Sequence, residues 1–199
     1  GIATASTALP LTMVLCDYLL YYPSIDDSNL DEQVMDNTVK LPRYTDGEGV
    51  QAIAVSVAGR TGGASFYFTY TNQDGVPGRI SQTVVENSAA ALGTIVTSSQ
   101  ATNSSGNPFI GLQDGDTGIR SIDSVFMLSA DVGLFTLILV KPLGTSVIRE
   151  ITAPVEKDYF MESGVIPRIY DDAYLSFLCL PQGTLAATAL MGDIKTIFT

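Results

Sequence analysis

The amino-acid sequence predicts an all-β fold, a β-sandwich of the jelly-roll type with a short helical or extended arm at its N-terminus. Residues 39–199 contain about eight or nine short runs of apolar and β-branched residues, at the spacing typical of sandwich strands. Clusters of Gly, Asn, Asp, Ser and Pro, the usual turn residues, separate these runs. Helical periodicity is confined to residues 9–25.

This first segment is apolar, and its side chains recur at three- and four-residue intervals up to Pro23, which provides a stop. The pattern predicts a short helix or an extended arm, packed either on the chain's own sheet or on a neighbouring subunit. Residues 26–36 then carry five acidic and no basic side chains, which is typical of a solvated loop. We therefore divide the chain into an N-terminal arm with its acidic loop (1–38) and a β-sandwich domain (39–199).

The sandwich strands are predicted in order along the chain. Residues 52–58 are small and β-branched, and residues 64–71 alternate between apolar and polar side chains. The Asp74-Gly75 turn signal follows, and residues 79–85 alternate again, so these last two segments are predicted to be antiparallel neighbours or near-neighbours.

A second strand pair is predicted at residues 119–128 and 133–140. The second of these runs is apolar on both faces, which indicates a central strand or a strand that meets another subunit, and Pro142 is its predicted end. Further strands are predicted in residues 146–151, 173–180 and the tail 184–199.

Charge and hydropathy exclude several partners. The net charge is −11, the pI is near 4.1, and the ten basic residues are spread almost evenly, so we expect no nucleic-acid binding. The longest apolar runs are much shorter than the roughly 20 residues of a membrane span, so no membrane partner is expected. The mean hydropathy of +0.26 predicts that some apolar surface faces a partner subunit.

The chain contains no histidine, which excludes Ser–His and Cys–His triads and histidine-ligated metals. No motif argues for catalysis, so we expect no enzyme activity and no cofactor. Cys16 and Cys179 have apolar neighbours, which predicts two reduced, buried thiols, with a single disulfide as the alternative. The first residues lack the charged region of a secretory signal, so we expect assembly inside a reducing cell.

Asp114 and Asp116 flank a loop glycine and are the weak candidates for a metal site. Their carboxylates suit a hard cation such as Ca²⁺, which takes six to eight oxygen ligands. The sequence lacks the twelve-residue calcium loop and its closing glutamate, and Asp and Gly are ordinary turn residues. We therefore favour a turn and predict no metal site.

Aromatic residues are the candidates for a protein interface. Tyrosine combines a large contact area with a hydrogen-bonding end, and a short apolar run lies between two turn clusters near residue 110. Packing in the chain's own core is the alternative for the same side chains. The predicted interface residues are Leu15, Tyr18, Tyr21, Tyr22, Phe109 and Ile110.

Three stretches carry a resemblance to a known class of protein: residues 17–26 (DYLLYYPSID), 36–51 (DNTVKLPRYTDGEGVQ) and 70–79 (YTNQDGVPGR). They resemble small structural proteins of tailed bacteriophages, of the kind encoded beside the major capsid protein. The resemblance covers most of the chain, but its motifs consist of turn residues and include no catalytic signature or defined contact residue. It implies a virion component, a capsid decoration or cement protein with a jelly-roll or related sandwich.

The expected function is therefore a non-enzymatic protein that binds and stabilises a phage capsid shell, at the capsid surface of a virion assembled in the bacterial cytoplasm. Its expected partners are the major capsid protein and other copies of itself, with a trimer as the expected oligomer, because symmetric contacts act together. The predicted contact elements are the N-terminal segment and the loops of residues 101–118. A tail or baseplate protein and a carbohydrate-binding sandwich module are the alternatives.

Overall fold

The computed structural model describes residues 9–88, 92–100, 108–151, 153–164, 166–181 and 190–197, with the backbone alone for residues 97–100 and Ser163. Over these ranges the chain is nearly all β, with ten strands in two sheets and one five-residue helix. The prediction of an all-β sandwich is confirmed, and the jelly-roll connectivity stays a prediction. No helix in the described ranges is long and apolar enough to cross a membrane.

The elements follow one another along the chain with these bounds: β1 (Leu11–Asp26), β2 (Gln33–Val34), β3 (Gln51–Ser56), β4 (Ser65–Asn72), β5 (Arg79–Ile80), β6 (Val84–Glu86), β7 (Thr97–Gln100), β8 (Ile119–Met127), β9 (Leu134–Ile148), α1 (Tyr159–Ser163) and β10 (Leu175–Pro181). One sheet has the strand order β10-β1-β9-β3. The other has the order β2-β8-β4-β6-β7, and β5 also pairs with β4. As predicted, β4 is the antiparallel neighbour of both β5 and β6.

The chain divides into two compact units, and the strands β1 and β9 each contribute to both. Residues 18–141 form the larger one, which we call the central unit. Residues 1–17 and 142–199 form the other, which we call the terminal unit. The predicted division at residue 38 stays a prediction, and residues 9–38 contribute to both units.

The core of the central unit lies between the facing sheets. Burial of apolar side chains from both sheets is the main stabilising contribution to such a sandwich. The largest fully buried side chains of this unit are Tyr22, Ile25, Phe66, Phe68, Tyr70, Ile110, Ile119, Ile122, Phe135, Leu137 and Leu139.

Of the two predicted alternatives for residues 9–25, the extended one is observed and the helix is not: this segment forms β1, the longest strand in the described part of the chain. β1 lies between β10 and β9, and it has buried side chains on both faces. A strand that is covered on both faces needs no alternation of apolar and polar residues. The helical spacing of its apolar side chains was therefore misleading.

Two further details of the strands differ from the predictions. Pro142 does not end β9, which continues to Ile148 and includes part of the segment predicted as a separate strand. The pairing of β9 with β3 stops at Val140, so the missing N–H of Pro142 costs no hydrogen bond to β3. In the tail, residues 190–197 contain no strand, and residues 184–189 lie outside the described ranges.

The terminal unit has a small core. Among its described residues, Leu11, Met13 and Ile148 are buried together, and Cys179 packs against them partly exposed. The helix α1, which the sequence did not predict, is capped by the Asp158 carboxylate, which accepts hydrogen bonds from the N–H groups of Phe160 (3.0 Å) and Met161 (3.1 Å).

Candidate interaction surfaces

The structure separates the six predicted interface residues into buried and accessible ones. Leu15, Tyr22 and Ile110 are buried within the chain. The Tyr22 hydroxyl donates to Asn37 Oδ1 (2.8 Å) and accepts from the N–H of Ile122 (3.1 Å), and burial raises its pKa to about 12. These three side chains therefore lie in the chain's own core. Contrary to the prediction, they are not available to contact a partner.

The other three predicted interface residues remain accessible. Tyr21 is 55% exposed, whereas Tyr18 and Phe109 are partly exposed. The part of the predicted contact loops at residues 101–107 lies outside the described residues. An interface at Tyr18, Tyr21 and Phe109 stays a prediction.

The candidate metal ligand Asp116 already has a full set of hydrogen-bond donors. Arg79 donates from Nε (2.9 Å) and Nη2 (3.2 Å), Tyr70 from its hydroxyl (2.6 Å) and Asn72 from Nδ2 (2.8 Å). The hydrogen bonds from Arg79 hold the pKa of Asp116 near 2. Asp114 is exposed and does not join this group, and the described residues contain no cluster suited to a metal ion. Asp116 therefore stabilises its loop as the common acceptor of these hydrogen bonds.

Three ionisable side chains are enclosed within the central unit. Arg60 Nη1 lies 3.2 Å from Asp27 Oδ2 and 3.2 Å from Glu86 Oε1, and none of the three side chains is exposed. Arg60 also donates from Nη2 to the carbonyl oxygen of Leu134 (3.2 Å), and its guanidinium lies 5.5 Å from the centroid of the Phe135 ring. Two carboxylates thus share one guanidinium, which leaves a negative charge in excess when both are ionised.

Burial is the main determinant of the pKa values of the two carboxylates in this cluster. Loss of hydration raises the pKa of Asp27 to about 6 and that of Glu86 to about 7, and the charge of Arg60 opposes both shifts only in part. Neither carboxylate accepts a well-aligned hydrogen bond within the described residues. The acidic run was predicted to be a solvated loop, and Asp27 is its buried exception. The cluster couples folding to pH through three elements: the end of β1, the loop after β3, and β6.

The terminal unit exposes an unusual share of large apolar side chains. Among the described residues, twenty such side chains are exposed, and ten of them belong to residues 151–197, a minority of the described chain. We call six of these the terminal apolar set: Phe160, Met161, Phe177, Met191, Ile194 and Ile197. These large exposed apolar side chains make the terminal unit the candidate for a protein interface.

The helix α1 presents two members of this set in a defined orientation. Tyr159 points inward, and its hydroxyl packs so closely over Gly144 that a Cβ there would lie 1.9 Å away. Phe160 and Met161 are 63% and 77% exposed. The Asp158 cap and the Gly164 N–H, which donates to the carbonyl oxygen of Phe160 (3.2 Å), fix both ends of the helix. The exposure of these side chains is therefore a property of a folded element.

No element was predicted for residues 159–161, so the sequence did not point to these exposed side chains. The signal that would have found it is the N-cap Asp158 before Tyr159, with Glu162 reaching back to the Asp158 N–H (3.3 Å). Cys16 and Cys179 are both free thiols, Cys16 buried and Cys179 partly exposed, so the disulfide alternative is not observed. Burial raises the pKa of Cys16 to about 12.

Comparisons of the chain with protein-family models, with curated proteins and with solved structures found no match. Function is therefore inferred from the residues and contacts of this chain itself.

Proposed function

We propose that this protein is a non-enzymatic virion component that binds and stabilises a phage capsid shell, as a decoration or cement protein. The observation that carries the proposal is the terminal apolar set, which leaves large side chains exposed on a unit with a small core. The resemblance of residues 17–26, 36–51 and 70–79 to tailed-phage structural proteins supports a capsid as the partner.

The charge of the chain is compatible with this role. With a net charge of −11, the protein is repelled by the packaged genome and stays soluble, while an uncharged apolar set can pack against a shell. Many copies bound at symmetric positions would hold the shell together even when each contact is weak. The partners in this proposal are the major capsid protein and other copies of the chain.

Methionine and aromatic side chains suit this task physically. Phe160 offers a large rigid contact area, and the flexible thioethers of Met161 and Met191 adapt to an irregular partner surface. Burying one such side chain against a partner contributes about 1.5–3 kcal/mol. Loss of one side chain from the set should therefore weaken binding measurably.

Shell binding by matched variants tests the proposal. Purified protein is mixed with expanded phage heads that lack it, and the bound fraction and the thermal stability of the heads are measured. We expect Met161→Glu to weaken binding roughly ten-fold or more, because it places a charge in the apolar contact. Val76→Glu is the control, since Val76 is a 47% exposed apolar residue in a turn of the central unit.

Two results would contradict the proposal at different levels. Equal binding by Met161→Glu and the wild-type protein would remove the terminal apolar set as the contact surface. Absence of wild-type protein from the heads, with binding to isolated tails instead, would replace the decoration role by the tail alternative.

A further inference from the structure

A polar pocket lies on the outer face of the six-stranded sheet, and its origin is a double irregularity in β8. Two register shifts interrupt the pairing of β8 with β4, and they leave Asp123 and Arg120 without a partner residue in β4. Such bulges redirect side chains and are frequent beside functional sites. Here Ile119, Ile122 and Val125 stay buried, and the polar residues between them come in pairs.

The sequence of β8 reflects this geometry. Residues 119–125 read IRSIDSV, in which one apolar residue alternates with two polar ones. A regular strand with this pattern would turn some polar side chains into the core. The bulges avoid that outcome and place Arg120, Ser121 and Asp123 at partly exposed positions.

The pocket is a half-open depression of about 410 Å³ within the central unit. Thr71 of β4 and Ser121 of β8 are directly opposite in the register, so their hydroxyl groups lie side by side on the pocket wall. The pocket is lined by Lys40, Leu41, Thr45, Thr71, Arg120 and Ser121.

Hydrogen bonds within the chain determine which lining groups remain able to donate to or accept from a ligand. Ser121 Oγ (3.2 Å) and Thr71 Oγ1 (3.3 Å) both donate to the Asp123 carboxylate, so their remaining lone pairs can accept from a ligand. Arg120 Nε donates to the carbonyl oxygens of Asp46 (3.1 Å) and Gln73 (3.0 Å), which holds the guanidinium in place.

Lys40 supplies a donor without an internal role. It is exposed and forms no ion pair within the described part of the chain. The pocket therefore combines the ammonium donors of Lys40 with the acceptor oxygens of Thr71 and Ser121.

We propose that this pocket binds a saccharide ring through adjacent hydroxyl groups. Each sugar hydroxyl both donates and accepts, so it can satisfy the Lys40 ammonium and the Thr71 and Ser121 oxygens at once. A simple anion such as phosphate would find donors only at Lys40 and Arg120, because the Thr71 and Ser121 hydroxyl protons are directed to Asp123. The volume falls in the roughly 300–1,000 Å³ range of small-molecule pockets.

The same face of β4 extends the site beyond one ring. Tyr67 lies four residues before Thr71, about 13 Å along the strand, and is partly exposed. Its ring stacks on Phe126 with centroids 5.1 Å apart and an interplanar angle of 12°. This pair offers an aromatic surface to a second or third sugar unit of an oligosaccharide.

A glycan array that spans neutral, acidic and amino sugars provides the first test, followed by NMR titration with the oligosaccharide bound best. We expect selective binding, with amide shift changes at residues 40–45, 71 and 120–123. Asp123→Asn and Lys40→Gln should each weaken binding roughly ten-fold or more, since hydrogen bonds that involve charged groups are strong. Lys195→Gln, an equal charge change at an exposed site of the terminal unit, should bind as the wild-type protein does.

Lys40→Gln keeps the test valid if Asp123→Asn fails to fold, because the Lys40 side chain is exposed. The proposal would be overturned by an array with no bound sugar, or by unchanged binding in the Lys40→Gln variant. Shifts of the same amides with inorganic phosphate but with no saccharide would also overturn it, and would indicate an anion site. The test is independent of capsid binding.

Discussion

At the residue scale, the buried cluster of Asp27, Arg60 and Glu86 has the clearest physical consequences. Two carboxylates that share one guanidinium away from water favour the uptake of a proton on folding. Removing Arg60 would leave both carboxylates uncompensated, at a cost of about 3–5 kcal/mol. The cluster thus ties the stability of the central unit to pH.

We predict that the free energy of unfolding falls as the pH rises from 5 to 8. The folded-state pKa values of Asp27, about 6, and Glu86, about 7, lie above the ordinary carboxyl values of roughly 4. Their stabilising contribution is therefore fully present below about pH 4 and is lost as the pH passes through 6 to 7. Chemical denaturation should show a loss on the order of 4 kcal/mol.

The control for this pH dependence is Glu86→Gln, which leaves one carboxylate for one guanidinium and should reduce the slope between pH 5 and 8. A wild-type protein that gains stability over this range, or a variant with an unchanged slope, would contradict the assignment of the dependence to the cluster.

Replacement of a glycine beside the cluster is predicted to destabilise the protein for a steric reason. Gly133 has φ near +131°, and a Cβ there would lie 2.7 Å from Asp27 Oδ2 and 3.1 Å from the carbonyl oxygen of Gly59. Gly115 also has a positive φ, near +89°, but nothing lies within 4 Å of its Cβ position. We expect Gly133→Ala to destabilise the protein by about 1–3 kcal/mol more than Gly115→Ala in thermal unfolding. Equal losses would mean that backbone strain alone matters.

At the scale of elements, strands were predicted correctly where apolar and polar side chains alternate along the sequence. They were predicted less well where contacts with the rest of the fold outweigh the local sequence pattern. The strand β4 was identified because Phe66 and Phe68 face the core while Tyr67 and Thr69 do not. For β1 the sequence left a helix or an extended arm open, because the strand has buried side chains on both faces and so lacks a clear alternation. Whether such a segment forms a strand depends on the strands that pair with it and on the layers that cover it. The local sequence of the segment does not contain this information.

The candidate sites likewise combine features that local sequence predicts with features that depend on long-range contacts. The turn role of Asp116 followed from its neighbours in sequence, but its bonds to Tyr70, Asn72 and Arg79 depend on strands that are far apart in the chain. Likewise, Asp27 and Glu86 meet only because the sandwich brings β1 and β6 together. Long-range placement of this kind leaves no spacing signal in a single sequence.

The role of β1 leads to a prediction with a matched pair of variants. Leu19 is buried in the core of the central unit at 7% exposure, whereas Tyr21 on the same strand is 55% exposed. We expect Leu19→Asp to destabilise the protein by at least about 3 kcal/mol, because it buries a charge without a partner. Tyr21→Asp should cost less than about 0.5 kcal/mol. A flexible arm would tolerate both changes, so equal tolerance in denaturant unfolding would contradict the sheet position of β1.

At the scale of the whole molecule, the two units suggest different tasks. The central unit contains the larger core, the buried ion cluster and the polar pocket. The terminal unit has the smaller core and the terminal apolar set. In the two proposals, the terminal unit attaches the protein to the capsid and the central unit binds glycans.

The most direct test of the capsid role is electron cryomicroscopy of the intact phage particle at a resolution that identifies side chains. The proposal predicts density for this chain on the outer surface of the capsid, with Phe160 and Met161 against the major capsid protein. Density for the chain in the tail, or on the capsid with α1 turned to solvent, would contradict it.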